Sequence, residues 1–271
     1  MTNNKTCVTC DAALHGLYCH ECGERVVEAK DFSLRKILGD GLDAFTNLDS
    51  KVFKSFKRLI FKPGTLTEAY YIGQRKDYLK PFQIFILTNI FFFIFLSQLD
   101  LFLIPSKWFI VKDFEIFSFD IEGTAQNIAD RREQSLHEIK LIYDQKIAAT
   151  SKLFMVLLVP ALAAISYPIA YKKLPEYGKH IILALHLLSF FFILAVCYTK
   201  LFSLLPIELE SSYFTIPISS IFTIYTILTF KRLFNESIWL SIVKGIYFFI
   251  FLFVAIFIYR FLVSYYTLIS L

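Results

Sequence analysis

From residue 81 to its end the sequence is a succession of apolar runs, each close to the ~20 residues that a helix needs to cross a bilayer. Lipid leaves backbone polar groups no partner but one another, so such runs are compatible with helices and with little else. Five spans are expected, near 81–104, 153–170, 181–198, 213–230 and 242–263, with a loop over 105–150 on the outer side. Pro160 and Pro217 fall inside two of them and should kink or locally unwind their helices. The composition agrees. Hydrophobic residues make up 56% of the chain and mean hydropathy is +0.56, above the ~45–50% apolar content of soluble domains. Thirty-one Phe against nine Gly and eight Pro exclude collagen-like and disordered classes.

Orientation follows from Lys and Arg beside the span ends. Lys62, Arg75, Lys76 and Lys80 precede the first span. Lys172, Lys173 and Lys179 follow the second, and Lys231 and Arg232 follow the fourth. On the other side, 206–212 has no basic residue, and 105–150 sets six basic residues against eight acidic ones. The N-terminus is therefore expected in the cytoplasm and the C-terminus outside, in a bacterial inner membrane. The opening MTNNKTCVTCDAALHGLYCHECGE is polar and cysteine-rich, so no cleaved signal is expected.

Four of the five cysteines are Cys7, Cys10, Cys19 and Cys22, in the pattern C-x2-C-x8-C-x2-C followed by Gly23. Two such knuckles bring four thiolates onto one tetrahedral Zn²⁺ at ~2.3 Å. A segment this short buries too little core to fold unaided, so the metal must supply the folding free energy. Two disulfides are the competing reading, and the cytoplasmic placement argues against them. A thioredoxin-like site would need a βαβ pattern, which is absent. His15 and His20 are weaker ligand candidates than the thiols, and Cys197, alone in the third span, reads as a small packing residue. The expected fold is thus an all-α polytopic membrane protein of about five transmembrane helices, with a small N-terminal zinc ribbon holding one structural ion. It divides into a four-cysteine zinc ribbon over 1–27, basic amphipathic helices over 28–80 and a transmembrane domain over 81–271.

Residues 32–62 have helical periodicity: Phe45, Leu48, Val52, Phe56, Leu59 and Ile60 form one stripe, with Lys51, Lys54, Lys57, Arg58 and Lys62 around it. Such a helix either lies in the inner membrane interface or packs on the protein's own spans. No groove-reading motif accompanies the lysines, so no nucleic-acid partner is expected. Pro63-Gly64 stops this helix, Thr65-x-x-Glu68 is a capping-box pattern that starts another, and Gly73 can end it in a left-handed cap. Arg75, Lys76 and Tyr78 then sit where anionic lipid head groups are expected, which makes them candidate head-group or ligand contacts.

The knuckles ending in Cys22-Gly23, the Pro63-Gly64 stop, the Gly73-x-Arg75-x-x-Tyr78-x-x-Pro81 entry and the Tyr177-Gly178-Lys179-His180 stretch occur together. In this the chain resembles, over residues 7 to about 195, a family of uncharacterised bacterial membrane proteins common in Bacteroidetes-type genomes and classed as a domain of unknown function. The resemblance implies a zinc-ribbon head on several inner-membrane helices and no known activity. The family usually has Glu where Lys179 stands here.

Ionisable residues within the spans are few, and each is a candidate site. His186 lies within the third span and His180 at its cytoplasmic mouth, six residues and so ~240° apart on a helix, which puts them on different faces. Lys200, Lys244 and Arg260 are near span ends, where they can snorkel. Thr88 and Asn89 are ordinary interhelix hydrogen-bonders. No acid lies deep in a span, which disfavours proton- or sodium-coupled transport, and no hydrolase or phosphate-loop motif is present. In the outer loop, WFIVKDFEIFSFDI alternates like a short hairpin, and 124–148 reads as one solvated helix. The leading functional expectation is a non-enzymatic membrane adaptor or regulator that docks partners through the ribbon. A small-solute permease with a path past Asn89 and His186 is the alternative. A lipid-modifying enzyme using Arg75, Tyr78 and His180 ranks third.

Overall fold

The computed structural model describes residues 6–27, 49–96, 102–111, 115–116, 119–203 and 211–271. After the cysteine head come α1 (Asp49–Phe61), α2 (Thr65–Ile72), α3 (Pro81–Leu96), α4 (Ser106–Phe109), β1 (Glu115–Ile116), β2 (Phe119–Asp120), α5 (Ile121–Arg132) and α6 (Leu136–Phe154). A 3-10 turn at Met155–Leu157 leads into α7 (Leu158–Ala170), followed by α8 (Tyr177–Phe202), α9 (Ser211–Phe234) and α10 (Ile238–Ile269). Among the described residues, three helical stretches are long and apolar enough to cross a membrane: Leu136–Ala170, Tyr177–Phe202 and Ile238–Ile269. The apolar helix Pro81–Leu96 is shorter.

The 3-10 turn lies just before Pro160, whose missing N–H leaves the carbonyl four residues back without its α-helical donor. At Pro217, by contrast, α9 continues as a helix. The expected hairpin forms, with Glu115 opposite Asp120 and Ile116 opposite Phe119 in an antiparallel pair. The single helix expected over 124–148 is in fact two. Glu133 takes a left-handed conformation (φ 54°) that ends α5, and Ser135 with Glu138 forms a full capping box that starts α6. The capping box expected at Thr65 is absent. Gly64 occupies the cap position at φ 75°, the Thr65 hydroxyl donates to the Lys62 carbonyl at 2.8 Å, and the Glu68 carboxylate instead meets Arg232 at 3.1 Å. A Cβ on Gly64 would lie 3.2 Å from the Thr229 backbone, so tertiary contact with α9, not helix capping, sets this turn. Gly73 ends α2 as expected, at φ 104° with its N–H on the Ala69 carbonyl. The amphipathic helix is described only from Asp49; the expected stripe positions Phe45 and Leu48 lie outside the described residues, as do 97–101 of the first expected span.

The chain forms two compact units. The first comprises Met1–Phe95 and Leu162–Phe249. Its centre is α8, whose apolar window is 67% buried, against 28% for that of α10. Helices α1, α2 and α9 pack on α8. Phe190 stacks on Tyr225 at 3.5 Å between ring centroids, and Phe192 is flanked by Phe85 and Phe92 from α3. Helix α1 has a packed face and an exposed one. Leu59 and Ser55 are buried, with the Leu59 carbonyl accepting from Tyr225 Oη and Ser55 Oγ accepting from the Leu79 N–H, whereas Phe53 and Phe61 are exposed. Gly245 brings α10 against α9, since a Cβ there would fall 2.3 Å from Ile227 Cγ1.

The second unit comprises Leu96–Ala161 and Ile250–Leu271. Asp144 accepts from the Ser106 N–H and hydroxyl at 2.8 and 2.6 Å, and Tyr143 stacks on Phe109. Arg260, expected to snorkel, instead grips the Leu103 carbonyl through Nε and Nη2 at 3.1 and 2.7 Å.

Candidate metal centre

The head repeats one local geometry twice. Thr6 bridges Ala13 and Tyr18 bridges Arg25, in each case one residue before the first cysteine of a knuckle and six after it. The Cys7 N–H donates to the Ala12 carbonyl and the Cys19 N–H to the Glu24 carbonyl, both at 2.8 Å. Return bonds run from Asp11 N–H to Cys7 and from Gly23 N–H to Cys19. The residue after each knuckle has positive φ, 59° at Asp11 and 73° at Gly23. Gly and Asp are among the residues that tolerate this region, so each knuckle can turn tightly enough to aim both its sulfurs inward.

The sulfurs of Cys7, Cys10, Cys19 and Cys22 all lie within 4.8 Å of one another. Cys7 and Cys22 are 3.5 Å apart, as are Cys10 and Cys19. A disulfide would need ~2.05 Å, whereas four thiolates on a tetrahedral ion at ~2.3 Å sit ~3.8 Å apart. The donor set and its spacing therefore fit a single metal ion and not two disulfides. The thiols also share charge unequally. The Cys22 N–H, with that of Glu21, holds Cys19 down at about 6 despite burial. At Cys10 the Ala12 N–H pulls downward, but burial and the neighbouring sulfurs outweigh it and push the thiol up to about 12. His15 and His20 face each other, with ring centroids 5.8 Å apart, and neither is in the cluster. Cys197, expected to pack, is exposed on α8.

The entry segment that follows α2 lies against this head. Gln74 Nε2 donates to the Val8 carbonyl at 2.8 Å, and the Lys76 N–H donates to Glu24 Oε2 at 3.2 Å. The Lys76 ammonium donates to the Cys22 carbonyl. Arg75 covers the Tyr70 ring, its Cζ 4.4 Å from the centroid, and its Nε donates to the Tyr70 carbonyl. Tyr78 Oη accepts from Arg58, whose guanidinium also lies over the ring. The three candidate head-group residues thus each have partners within the protein. Glu24, which sequence reasoning passed over, is 6% exposed and also accepts from Thr9 Oγ1 at 3.1 Å. A carboxylate two residues after the last cysteine of a metal knuckle was its only advance signal.

His180 and His186 are both buried in α8 and face different neighbours, in keeping with their spacing. His186 Nδ1 is 2.9 Å from Thr67 Oγ1 on α2. His180 Nδ1 is 2.9 Å from Ser166 Oγ on α7, and its Nε2 is 3.0 Å from the Leu174 carbonyl. Lys179 pairs with Glu176 at 3.0 Å, and its carbonyl accepts from Tyr71 Oη at 2.5 Å.

A family model described as "Protein of unknown function (DUF3667)" matches residues 49–93. The matched stretch holds α1, the Pro63-Gly64 turn, α2, the entry segment and most of α3. It therefore contains the surface on which the head rests, but not the head itself or the 177–180 stretch. No curated protein and no solved structure matches the chain.

Proposed function

We propose that this chain is a polytopic bacterial inner-membrane adaptor or regulator, with a cytoplasmic head built on one structural zinc ion. Four cysteines, with no other ligand type among the described residues, make a closed, soft-donor site, which suits structural zinc and leaves no position for substrate. Five spans, over 81–104 and the four later apolar runs, carry it, with the N-terminus inside and the C-terminus outside. Lipid, anionic head groups and a protein partner of the head are its expected company. The observation that supports this reading most is the seating of the head on the segment matched by the family model, which joins the best-defined chemistry of the chain to its membrane entry.

Affinity purification from native membranes tests the adaptor role. A partner is expected to co-purify with wild type and to be lost with Cys19→Ser/Cys22→Ser at matched abundance; a partner retained equally by both removes the head from recognition. The topology predicts that a periplasm-active reporter fused after Leu271 is functional and a cytoplasm-active one is silent, and the reverse pattern overturns the five-span arrangement. The permease reading is favoured by a different observation. Among the described residues His186 Nε2 and Asn89 Nδ2 are buried without a hydrogen-bond partner, and a ligand or water on the path would supply one.

A further inference from the structure

The hydrogen bonds between the head and the 73–76 loop run to residues at or beside metal-ligand positions. Val8 follows Cys7, Cys22 is itself a ligand position, and Glu24 lies two residues after it. Glu24 Oε2 joins the second knuckle to the first through Thr9 and to the loop through the Lys76 N–H. The Lys76 ammonium is held at the Cys22 carbonyl, 3.9 Å from where a Gly23 Cβ would stand. On the loop side the fit is close, since a Cβ on Gly73 would lie 2.7 Å from Val27 Cγ2.

Four thiolates around a divalent ion leave a net charge of about −2. An ammonium at the carbonyl of one ligand residue offsets part of that charge and orients its knuckle, the role that outer-shell partners play in metal sites. The head in turn has little apolar core with which to hold Val8, Thr9 and Glu24 in place when the ion is gone.

We infer that Glu24 and Lys76 are positioning residues that make metal binding in the head and seating of the 73–76 loop one linked equilibrium. The inference rests on the metal reading given above. Linkage is reciprocal: whatever the seated loop adds to metal affinity, the metal adds to loop seating. While the metal is bound, the head surface around Val8, Glu24 and Val27 is occupied by the protein's own chain. Loss of metal frees both that surface and the loop that leads into α3, so the metal state is transmitted to the membrane entry.

The test uses the full-length protein in nanodiscs, with two measurements: the rate at which zinc passes to a competing chelator, and amide hydrogen exchange of residues 74–76 with and without that chelator. Lys76→Gln and Glu24→Gln are expected to release zinc about tenfold faster, within the range for outer-shell partners, with Lys76→Arg close to wild type. Gly73→Ala lies outside the head and should release zinc faster too, and its 74–76 amides should exchange rapidly even with metal present. In wild type, those amides should exchange faster once zinc is removed. Equal release rates in all variants, with exchange indifferent to the chelator, overturn the linkage and leave the metal site standing. Wild type purified without metal while its four thiols are reduced overturns the metal reading itself, and the linkage with it.

Discussion

Wild-type protein is expected to carry one zinc per chain, and Cys19→Ser/Cys22→Ser none, with amide protection lost throughout residues 6–27 of the double variant. The size of the effect follows from how little else holds the head together. Three of its large apolar side chains are largely exposed, Val8 at 46%, Leu17 at 55% and Tyr18 at 63%, and Leu14, Val26 and Val27 are only partly covered. The hydrophobic residues that the head does bury are two of the ligands, Cys7 and Cys19. A structural zinc site contributes ~10–16 kcal/mol of binding free energy near neutral pH, and in a segment without a core that is folding free energy. Metal analysis together with hydrogen exchange checks this. Protection of 6–27 that survives complete removal of zinc shows that the head folds by other means.

Glu236→Gln is expected to lower the melting temperature, with a cost that depends on pH. Glu236 lies between α9 and α10 and its side chain is 9% exposed, meeting Lys173 at 2.9 Å and Lys244 at 2.7 Å. Burial alone would push this carboxyl up. The hydrogen bonds from Lys244 and Lys173 outweigh burial and hold it below the usual glutamate range. Removing one member of a fully buried ion cluster costs ~3–5 kcal/mol. Lys173 is 47% exposed, so solvent screening reduces the expectation to about 1–3 kcal/mol. Because the folded value is the lower one, the stabilisation is complete above the ordinary glutamate value of about 4.5 and is lost as pH falls through the folded value. The melting-temperature difference between wild type and variant should therefore be constant near neutrality and shrink on acidification. A difference that stays flat across that range removes ionised Glu236 from the stability of the unit.

Several features that depend on residues a few positions apart passed from the sequence into the structure. The cysteine spacing closes the sulfur cluster because a knuckle is a local turn, and Gly23 marks one of its two left-handed positions. Asp11, the other, was open to the same argument, since Asp shares some of that tolerance. Gly73 ends α2 for the same kind of reason, and Pro160 leaves a 3-10 turn before it because a missing N–H acts within one helical turn. The missed break between α5 and α6 had a local signal as well, Ser135-x-x-Glu138.

The partners of charged and polar side chains were a different matter. Lys76 and Arg75 have a composition and position that suit lipid phosphates, yet one is bonded to the Cys22 carbonyl and the other lies on Tyr70. Glu68 has the spacing of a capping residue but meets Arg232, 164 positions later. His186 finds Thr67 across a separation of 119 residues. The sequence by itself determined the four-cysteine cluster, the apolar character of the later helices and several of the turns, because spacing and hydropathy act through the nearest few residues and through the solvent. Only the tertiary structure decided what each long polar side chain holds, because a flexible charged group goes to whichever buried donor or acceptor the packed helices bring within ~3 Å.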